Sequence, residues 1–167
     1  MLRLAVVAAL LAVLCPAAEA RSAGRYDFAV SVTGPATFNA RRQQLVPITV
    51  RVVNLGPGPS AANSNVILSA GISRSSGGTA SLGEIFLSDA TGHCITAVST
   101  GCSVPRLAPN QAYRFTVAAK WRAEDVRRYA ARKPLYLVVE ADINTIACGG
   151  QETNCANNTA VVHVRAR

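Results

Sequence analysis

Aromatic side chains are scarce: one Trp, four Phe and four Tyr in 167 residues. They are not clustered, so there is no platform on which single-stranded bases could stack, which argues against nucleic acid as a partner. Acidic side chains are also few, nine against seventeen Lys and Arg. The resulting charge of +8 favours polyanions such as acidic polysaccharide, lipopolysaccharide or anionic lipid headgroups. No apolar run reaches the roughly 18 residues that a membrane-spanning helix requires. The cysteines never fall at C-x-x-C spacing, which removes the usual zinc signature. The Ser/Gly-rich stretch Ser73 to Thr79 is not followed by G-K-S/T, so it does not read as a phosphate loop. His93 precedes Cys94, but no third orienting group lies nearby in sequence to make a nucleophile of the thiol.

What is present begins with a leader. Arg3 gives a positive start, Leu4 to Leu14 is unbroken apolar sequence, and Ala18-Glu19-Ala20 is a small-x-small cleavage site. Met1 to Ala20 therefore reads as a secretory signal peptide, with no transmembrane segment after its removal. Cys15 does not mark a lipoprotein, because Leu14 stands where a small residue is needed. Arg21 to Arg25 is a linker, and Tyr26 to Arg167 has the length of one domain with a real core. Arg3 and Glu19 leave together, so the charge of +8 is kept.

Cys15 also leaves with the leader, and an even set remains: Cys94, Cys102, Cys148 and Cys155. In an exported chain that reads as two disulfides. Four cysteines allow three pairings. The local ones, Cys94 with Cys102 and Cys148 with Cys155, are favoured because each pair falls in one Gly-containing loop between predicted strands.

Period-two alternation dominates the rest. Phe28, Val30 and Val32 share a face. So do Val46, Ile48, Val50 and Val52, although Pro47 should place the start of that strand on an edge or in a bulge. Asn65 to Ala70 resumes the sheet after a turn rich in Gly and Pro, and Ser81 to Ser88 is an ambiguous strand. Tyr113, Phe115, Val117, Ala119 and Trp121 alternate along another strand. Arg122 to Lys133 changes period and reads as a short helix that Pro134 ends, with Arg127, Arg128, Arg132 and Lys133 as a candidate polyanion contact. The last two strands form a hairpin: Leu135, Leu137, Val139, Ala141 and Ile143 face inward, opposite Ala160, Val162 and Val164. The pattern predicts an all-β immunoglobulin-like β-sandwich of seven or eight strands with one short helix.

Three stretches resemble a known family. Val52, Asn54, Gly56 and Pro57, followed by Asn65, Val66 and Leu68, look like the V-x-N-x-G-P turn and returning N-V-x-L strand of CARDB (cell-adhesion-related domain in bacteria) and DUF11 repeats. Leu107 to Gln111 and the strand after it resemble the family's L-x-P-G turn, with Asn110 in the glycine's place. Glu152-Thr153-Asn154 and Asn157-Asn158-Thr159-Ala160 resemble the family's E-x-N-E-x-N-N-x-A ending, with Cys155 replacing the second acidic residue. The resemblance implies an extracellular, immunoglobulin-like module of bacterial type.

The expectation is an exported, periplasmic or extracellular, non-catalytic binding or adhesion-type module. It would contact a protein or glycan partner, including an anionic envelope polymer, through loops and a basic surface, with no cofactor and no metal. One alternative is a small exported hydrolase or metal-dependent enzyme using Glu140, Asp142, His93 or His163, which would have to converge in one pocket. Another is an accessory subunit of an envelope assembly docking a partner at a strand edge.

Overall fold

The computed structural model describes residues 25–42, 44–62, 64–77, 85–89, 94–95, 100–121, 124, 128, 134–143 and 151–167. The expected leader and most of the predicted helix lie outside these.

Among the described residues ten strands follow one another: β1 (Phe28–Thr33), β2 (Thr37–Phe38), β3 (Val46–Asn54), β4 (Ser64–Ser73), β5 (Ile85–Asp89), β6 (Cys94–Ile95), β7 (Thr100–Val104), β8 (Ala112–Trp121), β9 (Tyr136–Ile143) and β10 (Thr159–Ala166). They form a four-stranded sheet in the order β1-β3-β8-β5 and a six-stranded sheet in the order β2-β10-β9-β4-β7-β6. This is the predicted sandwich with more strands than the seven or eight expected. Two of them, β2 and β6, have two residues each, too short for alternation to reveal.

Between the sheets lies one core. From the four-stranded sheet come Phe28, Val46, Ile48, Val50, Val52, Phe115, Val117 and Ala119. From the other come Val66, Leu68, Leu137, Val139, Ala141, Ile143 and Val164. Apart from Val66 and Leu68, to which the pattern assigned no face, these are residues on the faces that alternation marked, while Val30, Val32, Ala160 and Val162 of those faces are half-buried. Burying each large aliphatic contributes on the order of 2 kcal/mol before the entropy of ordering is counted.

Pro47 sits where its missing N–H is tolerated. β1 ends its register on β3 at Thr33 opposite Thr49, so at Pro47 the strand β3 has β8 as its neighbour, at Ala118, and β1 no longer alongside. Just past that point the chain leaves one sheet for the other at Gly34-Pro35. A Cβ on Gly34 would lie 2.9 Å from Ile48 Cδ1 and 3.0 Å from Val164 Cγ2, so a side chain at this crossing would have to displace those two methyl groups. β2 then lies parallel to β10, Thr37 opposite Arg165 and Phe38 opposite Ala166.

The closing hairpin is as the sequence predicts: β9 and β10 pair antiparallel from Thr159 opposite Asp142 to Arg165 opposite Tyr136. Of the predicted helix, Glu124 and Arg128 are helical and exposed.

Candidate functional site

At one end of the sandwich, the motif residues form a polar cluster built around Asn54. The chain needs a tight turn after β3, and turns leave backbone groups without sheet partners. Asn54, fully buried, supplies them. Its Oδ1 accepts from Asp27 N (3.2 Å) and Gly56 N (3.0 Å), and its Nδ2 donates to the carbonyls of Gly58 (2.7 Å) and Leu107 (3.1 Å). The main chain of Asn54 bonds Gln111 O and Asn110 N. Asn110 has φ of 61°, the left-handed conformation that Asn tolerates in place of glycine. Ser60 completes the stitch, its hydroxyl accepting from Leu107 N at 2.8 Å.

Across from Asn54, the loop before β10 clasps the start of β1. Tyr26 and Glu152 form a parallel bridge, Tyr26 N donating to Gln151 O and Thr153 N to Tyr26 O, each at 3.0 Å. The buried Glu152 carboxylate accepts from Phe28 N at 2.8 Å. Asn157 Nδ2 donates to Asp27 Oδ1 at 2.9 Å, and Asn154 caps the 3-10 turn Cys155–Asn157. Burial holds the Glu152 carboxyl above the usual carboxylate range; the Phe28 N–H opposes this, and the charge of Asp27 adds to it. Burial, and then the charge on Glu152, raise the Tyr26 phenol. Among the described residues, the Glu152 to Asn158 signature therefore acts as a clasp between the first and last parts of the domain.

The other predicted sites are scattered. Cys94 and Cys102 are bonded, as expected from their shared loop, and they face each other in register across β6 and β7. Cys155 is also disulfide-bonded, while Cys148 lies outside the described residues. Arg128 is exposed, and Arg127, Arg132, Lys133 and His93 lie outside the described residues. Glu140 and Asp142 point from β9 onto the outer face of the six-stranded sheet, as alternation requires. Their register partners on β10 are Val161 and Thr159. His163, expected as a plain surface residue, is half-buried edge-on to Tyr136, ring centroids 6.4 Å apart. It stands opposite Val138, one diagonal step from Glu140. Among the described residues no three His, Cys, Asp or Glu gather as metal ligands.

One grouping escaped the sequence reading. Arg51 of β3 and Arg114 of β8 are direct register partners, both exposed, on the outer face of the four-stranded sheet. In the adjacent row Thr49 and Thr116 are partners, their hydroxyls 3.3 Å apart. Alternation already turned Arg51 outward, but only the strand register sets it beside Arg114. At the far end of β10, Thr37, Pro134, Arg165, Ala166 and Arg167 line an open cleft of about 300 Å³.

No family model matches the sequence, and no curated protein does. Solved structures do match. One is a crystal structure of the CARDB domain of the PF1109 protein from Pyrococcus furiosus in complex with di-metal ions: 17% identity, 86% of this chain and 90% of that one covered, TM-score 0.53. Another is the solution NMR structure of the same domain, at 15% identity, 86% and 96% coverage and TM-score 0.50. AvmM, which catalyses macrocyclization in alchivemycin A biosynthesis, aligns at 10% identity, 84% and 88% coverage and TM-score 0.43, too distant to bear on activity. At these identities the likeness is one of fold, and the sandwich has the architecture of a CARDB domain.

Proposed function

With a CARDB-type sandwich as the premise, we propose that the protein is an exported, non-catalytic binding or adhesion-type module that holds a protein or glycan partner through its loops and cationic surface. The observation that supports this most is where the motif side chains are used. Asn54 spends all four of its side-chain hydrogen bonds inside the fold, and Glu152 is buried against Phe28 N. The residues that might have done chemistry at that end hold strands together instead. Exposed cations supply the remaining reactive surface, and they suit an anionic partner. The Cys94 to Cys102 bond fits an oxidising compartment. Among the described residues no helix is long and apolar enough to cross a membrane.

The test uses the purified domain on immobilised anionic glycans. Saturable retention that weakens with salt, with the glycan recovered intact, is expected. A glycan recovered cleaved or modified overturns the non-catalytic reading, and no retention at low salt overturns the anionic partner.

A further inference from the structure

Two arginines directly opposite each other on neighbouring strands are unfavourable, because their side chains leave the sheet about 5 Å apart with the same charge. Arg51 and Arg114 are placed this way, and among the described residues neither has an ion-pair partner. Their row is completed on β1 by Ser31, opposite Arg51. About 7 Å along the strands runs a second row, with Thr33 and Thr116 exposed and Thr49 half-buried between them. Lys120, also exposed, lies six positions further along β8 from Arg114, roughly 20 Å away. Asp27 and Glu152 are in the clasp, Glu140 and Asp142 on the other sheet and Glu124 outside the strands; Asp89 ends β5 of this sheet in register with Val117, not with Arg114 or Thr116.

We propose that this outer face of the four-stranded sheet binds a linear anionic glycan, one carboxylate or sulfate seated between Arg51 and Arg114. The inference rests on the binding-module reading above and gives it a location. The anion relieves the repulsion between the two guanidiniums and accepts their paired N–H groups in the planar geometry that arginine offers. The hydroxyl row of Thr33, Thr49 and Thr116 meets the hydroxyls of the next sugar, with Lys120 available to a later acidic group on the same polymer. A flat face with alternating cations and hydroxyls suits an extended polymer better than a compact ligand, which would need a cavity. Along β1, β3 and β8 the row beside the arginines offers hydroxyls rather than aromatic rings, which suits a sugar chain; Phe86 of β5 is the register partner of Lys120, so competition by single-stranded DNA and by anionic vesicles decides between these polyanions.

The probes are heparin and polygalacturonate oligomers, titrated against the intact secreted domain by calorimetry at two salt concentrations. Replacing both arginines, R51Q with R114Q, should lower affinity at least tenfold and flatten its salt dependence. The melting temperature should stay level or rise, since a repulsion is removed. R51K with R114K should recover part of the affinity, and R127Q with R128Q should bind like the parent. Unchanged affinity in the R51Q and R114Q protein overturns the proposed face. If R127Q with R128Q loses binding instead, the module reading survives at another place; if the parent binds neither probe, both fall. Equal competition by single-stranded DNA or by anionic vesicles overturns the assignment to a glycan.

Discussion

Gly56 presses directly on the backbone of Tyr26: a Cβ at position 56 would stand 2.5 Å from Tyr26 Cα and 2.6 Å from Asp27 N. The neighbour is main chain, hydrogen-bonded to Gln151 and Thr153, so it cannot swing aside. Gly56→Ala is therefore expected to cost about 3 kcal/mol or more, read as a lower urea midpoint with the slope retained. A midpoint within error of the parent would mean that the clasp yields easily.

Asn54 offers a sharper test of the same end, because its substitution by Asp keeps the size and the acceptors while removing two donors. The carbonyls of Gly58 and Leu107 would then face a carboxylate oxygen. Asn54→Asp should lose about 3 kcal/mol at pH 7 and recover part of it in mild acid, where the carboxyl can donate. Unfolding curves at two pH values measure both effects.

Glu152 gives the pH dependence a definite sign. Its carboxyl titrates above the ordinary value of 4.5 because it is buried, so the folded protein holds that proton more tightly than the unfolded chain does. This residue's contribution must therefore weaken stability as pH rises from about 4.5 through its folded pKa. Glu152→Gln keeps an oxygen for Phe28 N–H and removes the charge. It should be as stable as the parent or more so at pH 7, and it should lack this part of the slope across pH 4 to 8. A parent that gains stability over that range relative to the Gln variant would reverse the assignment.

The cysteines can be tested without mutation. Thiol titration of the purified protein should find no free sulfhydryl until reduction. Reduction opens both the Cys94 to Cys102 link, worth roughly 2.5 kcal/mol at a separation of eight residues, and the bond made by Cys155. The sandwich should still keep its far-UV circular dichroism, because the first staples only β6 to β7 and the second starts from the loop before β10. Collapse of the whole fold on reduction would show that these links hold far more of the sandwich than their places at β6 and before β10 indicate.

How much of this was readable in advance follows the range of each force. Side-chain alternation is local, and it correctly turned Val46, Ile48, Val50, Val52, Leu137, Val139, Ala141 and Ile143 into the core. Asn110 could be recognised as a left-handed residue because that preference belongs to the residue itself. Contacts joining distant positions left weaker traces. Phe28 and Glu152 are 124 positions apart, and nothing in either segment names the other. The Arg51 and Arg114 pair depends on register, which alternation leaves undetermined by any even number of residues. β2 and β6 were missed because two residues cannot display a period. The motif residues were legible as a resemblance, yet their work as a clasp became visible only once their hydrogen-bond partners were known.

The segment from Tyr26 to Phe38 touches the last part of the domain in parallel at two places, Tyr26 with Glu152 and Thr37–Phe38 with Arg165–Ala166. Parallel contacts between the first and last segments have a mechanical consequence. Tension that pulls the two ends of the sandwich apart slides these segments past each other along their length. Hydrogen bonds loaded in that direction share the force and yield together, instead of opening one after another as in a peeled hairpin. A tethered domain of this construction would resist stretching along its own chain axis more than its marginal thermodynamic stability suggests.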